Sequence, residues 1–302
     1  MTRILVAGLI NIETTLAIDH FPIDYSPARY PFWGIRSTVS GVGFNIAKAL
    51  TTLGDPVDFL SLIGRDAAEV LARAELAHSR IDGTNVLSQL AATPQSVILY
   101  DPQGRRAIHV DLKDAQEQIY PAEIFAESLS KTDWAALCNI NFTRPMLTKA
   151  KAAGIPIATD VHAIGDIADD YNRDYLAHAT ILFQSHERLP CPPEEWARRL
   201  WQHYGTPIAV IGLGDAGALL AVKADNFIER IPAVYTRPVV NTIGAGDALF
   251  SAFLHTYANT RDPYTAIQQA LVFASYKIGA TGAAEGFLDA AALAEWRAKT
   301  SG

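Results

Sequence analysis

The chain has 302 residues, of which 49% are hydrophobic, and its formal net charge is -7. An acidic surface argues against non-specific binding to nucleic acid or to anionic membranes, and the length and apolar content suit one large α/β domain. The two cysteines have no metal-type spacing, which indicates a reduced, cytoplasmic protein. No apolar run reaches the ~18–20 residues that a membrane helix needs, so no membrane partner is expected.

Predicted strands and helices alternate along most of the chain. The apolar run 4–8 reads as a buried strand, and the helical spacing that begins at 40–45 ends at Gly54. The later elements are a strand at 57–63, a helix at 67–80, a hairpin of 96–100 and 106–110, a strand at 134–140, a helix at 144–153, strands at 155–159 and 181–183, a helix at 194–204, a strand at 208–211, a hairpin of 218–222 and 227–231, and helices at 245–257, 264–278 and 290–298. This order predicts a mainly parallel, doubly wound sheet that binds ligands at the carboxyl ends of its strands.

Two segments do not fit this sheet. Residues 12–39 carry prolines among aromatic side chains without a regular period, as a flap or an edge sheet would, and the hairpin 96–110 interrupts the strand–helix alternation. We expect a single α/β domain over residues 1–302, with a small β lid formed from about 12–39 and 92–112.

The stretch 241–247 carries the clearest chemical signal. Gly244, Ala245 and Gly246 leave backbone N–H groups bare at the start of a predicted helix, where the helix dipole favours an anion. Asp247 lies in the same turn, so a carboxylate stands beside the anion site. That pairing suits phosphoryl transfer, in which the N–H groups stabilise charge and the carboxylate accepts a proton. The alternative is that the small residues only allow close helix packing.

Two other patterns compete with this interpretation. Residues 212–217 match the dinucleotide-binding fingerprint and leave open an NAD-dependent dehydrogenase, although the pattern after them predicts a second strand and not the required helix. Asp160 and His162 follow a strand as metal ligands often do, with Asp166 nearby, whereas 169–170 reads as a solvated helix face. The chain contains no Gly-Lys pair, which excludes a Walker A loop.

Three polar residues suit a polyol ligand. Asn11 and Glu13 follow the first strand, and Asn45 lies just inside a glycine-rich helix start. Amides and carboxylates match hydroxyl groups, which both donate and accept hydrogen bonds. The alternative is local turn and cap bonding, which Asn favours.

In this order the motifs resemble those of the ribokinase-like (PfkB) family of carbohydrate and nucleoside kinases, over essentially the whole chain. Residues 7–13 look like the family's first strand and sugar-contacting turn, and 40–45 and 241–247 look like its two signatures. Residues 184–187 are similar to its Asn-x-x-Glu motif, and 212–217 occupy the place of its Thr-x-Gly-x-x-Gly turn.

The resemblance implies a ribokinase-like fold and an enzyme that transfers the γ-phosphoryl group of ATP, with Mg²⁺, to a hydroxyl of a small sugar or related polyol; a nucleoside is the alternative acceptor. Asp247 would be the catalytic base and 244–246 the anion hole. The implied nucleotide contacts are Gln184, Glu187, Gly212, Gly214, Gly217, Thr242 and Gly279, with Glu187 holding Mg²⁺ through water and 277–285 bounding the adenine pocket. The implied acceptor contacts are Asn11, Glu13, Gly41 and Asn45. Many members also bind a monovalent cation such as K⁺ beside the anion hole, and their lid strands often pair in homodimers.

Four residues depart from the family pattern. Asn241 replaces the first Asp of the second signature, which argues against monovalent-cation activation. Gln184 replaces an Asn, Gly212 replaces a Thr, and Glu13 replaces an Asp in the acceptor pocket. These departures leave open a non-catalytic, ligand-binding relative.

The predicted lid leaves two further alternatives open. Its aromatic side chains, Tyr25, Tyr30, Phe32 and Trp33, either stack on a nucleobase or pack in the lid or at a dimer contact. Its arginines, at positions 29, 36, 105 and 106, either clamp a phosphosugar or are solvated.

Overall fold

Short runs of buried apolar residues form the strands at the centre of the molecule. The structure, a computed structural model, describes residues 2–300. Its strands are β1 (Ile4–Ala7), β2 (Asn11–Ala17), β3 (Ile35–Ser40), β4 (Val57–Gly64), β5 (Val86–Leu90), β6 (Gln95–Tyr100), β7 (Arg106–Asp111), β8 (Trp134–Leu137), β9 (Ile157–Asp160), β10 (Ile181–Ser185), β11 (Ile208–Gly212), β12 (Ala218–Val222) and β13 (Phe227–Ile231).

Nine of these strands form the main sheet, in the order β13-β12-β11-β10-β9-β8-β1-β4-β5. The seven strands from β11 to β5 in that order pair in parallel, and β12 and β13 add an antiparallel edge. This arrangement confirms the predicted mainly parallel sheet.

The helices cover both faces of the main sheet. They are α1 (Val42–Leu53), α2 (Ala67–His78), α3 (Ala122–Leu129), α4 (Arg144–Ala152), α5 (Arg173–His178), α6 (Pro193–His203), α7 (Ala245–Thr260), α8 (Pro263–Lys277) and α9 (Ala290–Thr300). Successive side chains of a strand point to opposite faces. Accordingly, Ile4 and Val6 pack in one core with α1, α7 and α8, whereas Leu5 and Ala7 pack in another with α3, α4 and α6.

A second, small sheet has the order β3-β2-β6-β7. Its central strands β2 and β6 are parallel to each other, and each has an antiparallel partner at the edge. The strand β2 follows β1 after three residues, so the small sheet lies next to the carboxyl ends of the main strands.

Several sequence-based expectations need correction. The segment expected to be irregular contains two regular strands, β2 and β3, on either side of an irregular stretch. The expectation missed β5, α3 and α5 altogether. Asp169 and Asp170 are in a turn and not on a helix face, and Asp169 Oδ1 accepts from Asn172 N (2.8 Å) just before α5. Across residues 2–300, every helix is too short or too polar to span a lipid bilayer.

Candidate active site

The strand ends bring polar groups from distant parts of the sequence to one edge of the main sheet. Asn11 follows β1, Asp160 is the last residue of β9, Gln184 lies at the end of β10, and Gly212 ends β11. Parallel strands place their carboxyl ends on one side, and ligands of doubly wound sheets bind there. The first turn of α7 faces this edge, since Asp160 Oδ2 lies 3.9 Å from the position that a Cβ on Gly246 would occupy.

The first turn of α7 presents unpaired backbone donors. Gly244 is the N-cap and has φ 74°, a left-handed conformation that glycine adopts without strain. Ala245 N donates to Thr242 O (3.2 Å), whereas the N–H groups of Gly244, Gly246 and Asp247 have no acceptor within residues 2–300. These three donors, at the positive end of a 16-residue helix, form an anion site.

Asp247 is connected to β2 by a chain of polar side chains. Asn45 Nδ2, in α1, donates to Asp247 Oδ2 (2.7 Å). Ser40 Oγ lies 3.3 Å from Asn45 Oδ1 and donates to Glu13 Oε2 (3.1 Å). Since Asn45 contacts only one carboxylate oxygen of Asp247, the other is available to a ligand.

The surroundings of Asp247 make its carboxylate more basic than usual. Burial raises the pKa of Asp247 to about 6, and the nearby Asp160 carboxylate adds to the rise. The hydrogen bond from Asn45 and the charges of His162 and Lys277 oppose it. A carboxylate with this pKa is ionised at neutral pH and accepts a proton more readily than an exposed aspartate.

Two buried oxygens beside this series of polar side chains have no hydrogen-bond partner among residues 2–300. Asn11 donates from Nδ2 to Ser96 Oγ (3.1 Å), but its Oδ1 is unpaired, and so is Glu13 Oε1. Both residues are less than 10% exposed and lie on the same face of β2. Burial raises the pKa of Glu13, the Ser40 hydrogen bond opposes that rise, and Asp247 adds to it. Buried unpaired acceptors of this kind require a donor from a ligand or from water.

Close backbone contact explains the glycines at the start of α1. A Cβ on Gly43 would lie 2.4 Å from Gly8 C, and one on Gly41 would lie 2.6 Å from Leu9 O. Only glycine therefore lets α1 approach the turn after β1, and this approach brings Asn45 to Asp247.

A second group of residues lies beside the first, at the ends of β10 and β11. Gln184 is 4% exposed, and both polar atoms of its side chain lack a partner in the described part of the chain. Glu187 is largely exposed. Its neighbour in sequence, His186, donates from its backbone N to Gly212 O at the end of β11 (3.0 Å). The residues 212–217 form a tight turn into the antiparallel strand β12, so no helix follows the glycines. The context that a dinucleotide fingerprint requires is absent.

The polar atoms of this group fit Mg²⁺. In residues 2–300, no three His, Cys, Asp or Glu side chains are grouped closely enough to hold a metal ion, so the cluster considered at Asp160 and His162 is not a protein-only metal site. Mg²⁺ usually takes one or two carboxylates, and phosphate and water supply its other ligands. Within this group, Glu187 and the unpaired Gln184 Oε1 provide such oxygens. Asp160, at the end of the neighbouring strand β9, provides another.

Arginines of the small sheet cross to the main body at two places. Arg106 donates to Thr242 Oγ1 (2.8 Å) and lies 3.7 Å from Glu187 Oε1, and thereby connects the two groups of site residues. Arg36 binds Thr281 and Glu285. Arg29 and Arg105 instead pair within the small sheet and its loops, with Asp19 and Asp101 respectively.

The loop after α8 packs behind the anion site. A Cβ on Gly279 would lie 2.3 Å from Arg237 Nε, and Arg237 stacks over Tyr276. Asn241 Nδ2 donates to Thr281 O (2.6 Å), a bond that an aspartate could not donate. The last residue of α8, Lys277, is fully buried, and its ammonium donates to Ile243 O.

Sequence reasoning missed parts of this site. Asp160 was considered only as a metal ligand, and neither Ser40 nor Lys277 was singled out. A lone lysine in the otherwise apolar and small run 270–280 is a signal that could have directed attention to Lys277.

Comparison with known proteins identifies relatives over nearly the full chain. The sequence model of the pfkB family carbohydrate kinases matches residues 1–290. An ATP-dependent ribose-1-phosphate kinase from Halopiger xanaduensis is 26% identical over 293 residues, which cover 94% of each chain. An acarbose 7(IV)-phosphotransferase from Actinoplanes sp. is 25% identical over 294 residues, which cover 97% of each chain.

The solved structures confirm the fold. The structure of ribokinase from Giardia lamblia superimposes with a TM-score of 0.83 at 15% sequence identity and covers 99% of both chains. The expected ribokinase-like fold is therefore correct.

Proposed function

Since the chain belongs to the pfkB family of carbohydrate kinases and is a phosphotransferase that acts on an alcohol group, we propose that it transfers the γ-phosphoryl group of ATP to a hydroxyl of a small sugar or related polyol. The observation that carries this proposal is the pair of buried, unpaired oxygens, Asn11 Oδ1 and Glu13 Oε1, beside Asp247. A polyol hydroxyl donates to such oxygens and keeps a lone pair for a second contact.

Asp247 is the proposed base. Asn45 holds one of its oxygens, so the other accepts the proton of the acceptor hydroxyl. In-line phosphoryl transfer has a loose transition state, so the proton is transferred late and the base mainly positions the hydroxyl.

The proposed anion hole consists of the N–H groups in the first turn of α7. The unpaired donors of Gly244, Gly246 and Asp247 would bind the transferred group, on which charge accumulates, and Ala245 N closes the turn by donating to Thr242 O. Fixed donors in a site from which water is excluded stabilise this charge without reorganisation.

The nucleotide is proposed to lie along the ends of β10 and β11. Gln184, Glu187 and the turn that contains Gly212, Gly214 and Gly217 would border its phosphates. Thr242, in the loop before α7, and Gly279, in the loop after α8, are further proposed nucleotide contacts. Glu187 is the proposed Mg²⁺-binding residue, acting through water. The bound ion supplies positive charge to the phosphate oxygens.

The acceptor is proposed to be a sugar rather than a nucleoside. The aromatic residues that would stack on a base, Tyr25, Tyr30, Phe32 and Trp33, are 79–102% exposed, so they are not packed against the acceptor pocket. They favour a different role, a contact between the small sheets of two subunits in a homodimer. The acceptors of the two named relatives, ribose 1-phosphate and acarbose, differ in whether they already carry a phosphate, so both kinds belong in a substrate screen.

The small sheet is proposed to act as a lid, within a single domain, over the acceptor. Its strand β2 carries Asn11 and Glu13, so closing the sheet completes the acceptor pocket and excludes water, which would otherwise accept the phosphoryl group. A cytoplasmic location stays a prediction.

The test is acceptor-dependent release of ADP from ATP·Mg²⁺, measured across sugars, phosphosugars and nucleosides. The variant Asp247→Asn should abolish most of the release, whereas Asp170→Asn, at an aspartate whose side chain is 95% exposed, should leave it unchanged. ATP binding without turnover for any acceptor would instead indicate a non-catalytic relative.

A further inference from the structure

Lys277 is the one lysine whose side chain is fully buried among those that the structure describes. It ends α8 and lies directly behind the anion hole, where its ammonium donates to Ile243 O. Burial of an ammonium is costly unless opposite charges compensate it. Glu13, Asp247 and Glu285 supply those charges, and Arg237 is the like charge nearby.

The contact with Ile243 O determines the direction of an anion-hole donor. The C=O of Ile243 and the N–H of Gly244 belong to one planar, trans peptide unit, so they point in opposite directions. An ammonium that fixes the carbonyl on the inner side therefore aims the Gly244 N–H at the outer side, where the anion would bind.

The same contact keeps a second donor free. If α7 began one residue earlier, Asp247 N would donate to Ile243 O in the usual helical pattern. Lys277 occupies that carbonyl, and Asp247 N has no acceptor within residues 2–300. One buried ammonium thus accounts for two of the three free donors.

A second backbone carbonyl near the anion hole, that of Thr281, also accepts a hydrogen bond from a side chain of the protein. Asn241 Nδ2 binds Thr281 O (2.6 Å), and Asn241 Oδ1 accepts from Ile243 N (3.0 Å). A small monovalent cation binds to clusters of backbone carbonyls. Here an ammonium and an amide hold the carbonyls of Ile243 and Thr281.

We propose that Lys277 is a positioning residue that holds the anion hole in its binding geometry and replaces a bound monovalent cation, so that the enzyme needs none. This inference rests on the proposed kinase function, because it assigns a purpose to the same anion hole.

The first test compares wild-type kcat in K⁺ and in tetramethylammonium, an ion too large for a carbonyl site. Equal rates are expected. A wild-type rate that is several-fold higher in K⁺ would overturn the inference, and this result does not depend on whether any variant folds.

The second test uses Lys277→Met, which keeps the length of the side chain and removes its charge. We expect kcat to fall by ~10²-fold, the usual loss for one oxyanion-hole donor, whereas the KM for ATP changes less than threefold. Lys223→Met is the matched control, because Lys223 also contacts a backbone carbonyl, Trp201 O (3.5 Å), but is exposed and remote. A kcat of Lys277→Met within twofold of wild type would contradict the inference.

Restoring the activity of a Lys277 variant with an added cation distinguishes an electrostatic role of Lys277 from a packing role. In Lys277→Ala, which opens space for a small ion, added ammonium chloride should raise kcat at least fivefold, and sodium chloride at equal ionic strength should not. If the kcat of Lys277→Ala is low and no added cation raises it, Lys277 has only a packing role and the inference is overturned.

A further measurement does not require turnover. Hydrogen–deuterium exchange of the segment 241–249 should be faster in Lys277→Met than in wild type, because the Ile243 carbonyl is released. Unchanged exchange would contradict the inference even if no acceptor were phosphorylated, whereas a wild type without acceptor-dependent ADP release would contradict only the proposed function.

Discussion

Replacement of Asp247 by asparagine removes one charge from the site and keeps its shape. The Asn45 amide can still donate to an oxygen of the new side chain, as it does to Asp247 Oδ2 at 2.7 Å. An amide oxygen cannot take the proton of the acceptor hydroxyl at neutral pH. Loss of a general base costs 10²–10⁴-fold, and a late proton transfer places this enzyme at the lower end, so we expect kcat to fall by ~10²-fold.

The same replacement should stabilise the fold. Burial raises the pKa of Asp247 from 3.8 to about 6, so the ionised carboxylate is less favourable in the folded protein than in the unfolded chain. At 1.36 kcal/mol per unit, this difference corresponds to about 3 kcal/mol. Because the attraction of Lys277 already lowers this pKa, the difference includes it, and we expect a gain of at most about 3 kcal/mol in the free energy of unfolding at pH 7.5.

The size of this effect depends on pH. The raised pKa means that folded wild type binds more protons than the unfolded chain between about pH 4 and 6, so the contribution of Asp247 to stability is lost as the pH rises through that range. The advantage of Asp247→Asn should therefore be full above about pH 6 and vanish below about pH 4.

The assay combines coupled ADP release with urea unfolding at pH 4, 5, 6 and 7.5, for wild type, Asp247→Asn and Asp170→Asn. Lower activity together with higher stability would separate loss of chemistry from misfolding. Turnover within threefold of wild type would refute the base assignment. A variant less stable than wild type at pH 7.5 would refute the electrostatic reasoning.

Three other predictions concern the acceptor pocket, the pH profile and the lid. Glu13→Gln should raise the acceptor KM by about 10-fold and leave the KM for ATP unchanged, because a hydrogen bond to a charged group contributes about 1.5–3 kcal/mol; equal effects on both substrates would contradict the pocket assignment. Wild-type kcat/KM should fall below about pH 6, since protonated Asp247 cannot accept a proton, and Asp247→Asn should lack this decline. Light scattering should detect a dimer that Trp33→Ser weakens; a monomeric wild type would exclude the lid contact.

Local signals made the unpaired N–H groups at the start of α7 predictable. The free N–H groups at the start of α7 follow from three small residues and a helix start, all within 241–247. The turn at 212–217 was equally clear, because the residues after it could not form the required helix. In both cases the deciding information lies within about ten residues of sequence.

The strand β2 escaped prediction because its pattern is inverted. Asn11, Glu13 and Thr15 are its buried residues, whereas Ile12 and Thr14 are more exposed. The usual rule places apolar side chains inside. It fails here because the inner face of the strand lines a polar pocket, and such failures are expected at functional sites.

The role of Lys277 could not be read from local sequence. Its contact with Ile243 joins positions 34 residues apart, on α8 and on the loop before α7. Likewise, Asp160 faces α7 only because β9 lies in the middle of the sheet. The short elements α5 and β5 have six and five residues, too few to show a period of their own.

If the small sheet acts as the proposed lid, the two arginines that connect it to the main body would help to hold the cleft shut. The side chains of the pairs Arg36–Glu285 and Arg106–Glu187 are 30–61% exposed, and ion pairs near the surface contribute about 0.5 kcal/mol each. Together they favour the closed form by a factor of only about five, and salt weakens them further. In the proposed lid movement, the hydroxyl groups of the acceptor would therefore supply most of the free energy that keeps the cleft closed. A poor acceptor would leave it open, and occupancy of the pocket would then govern how much ATP is lost to water.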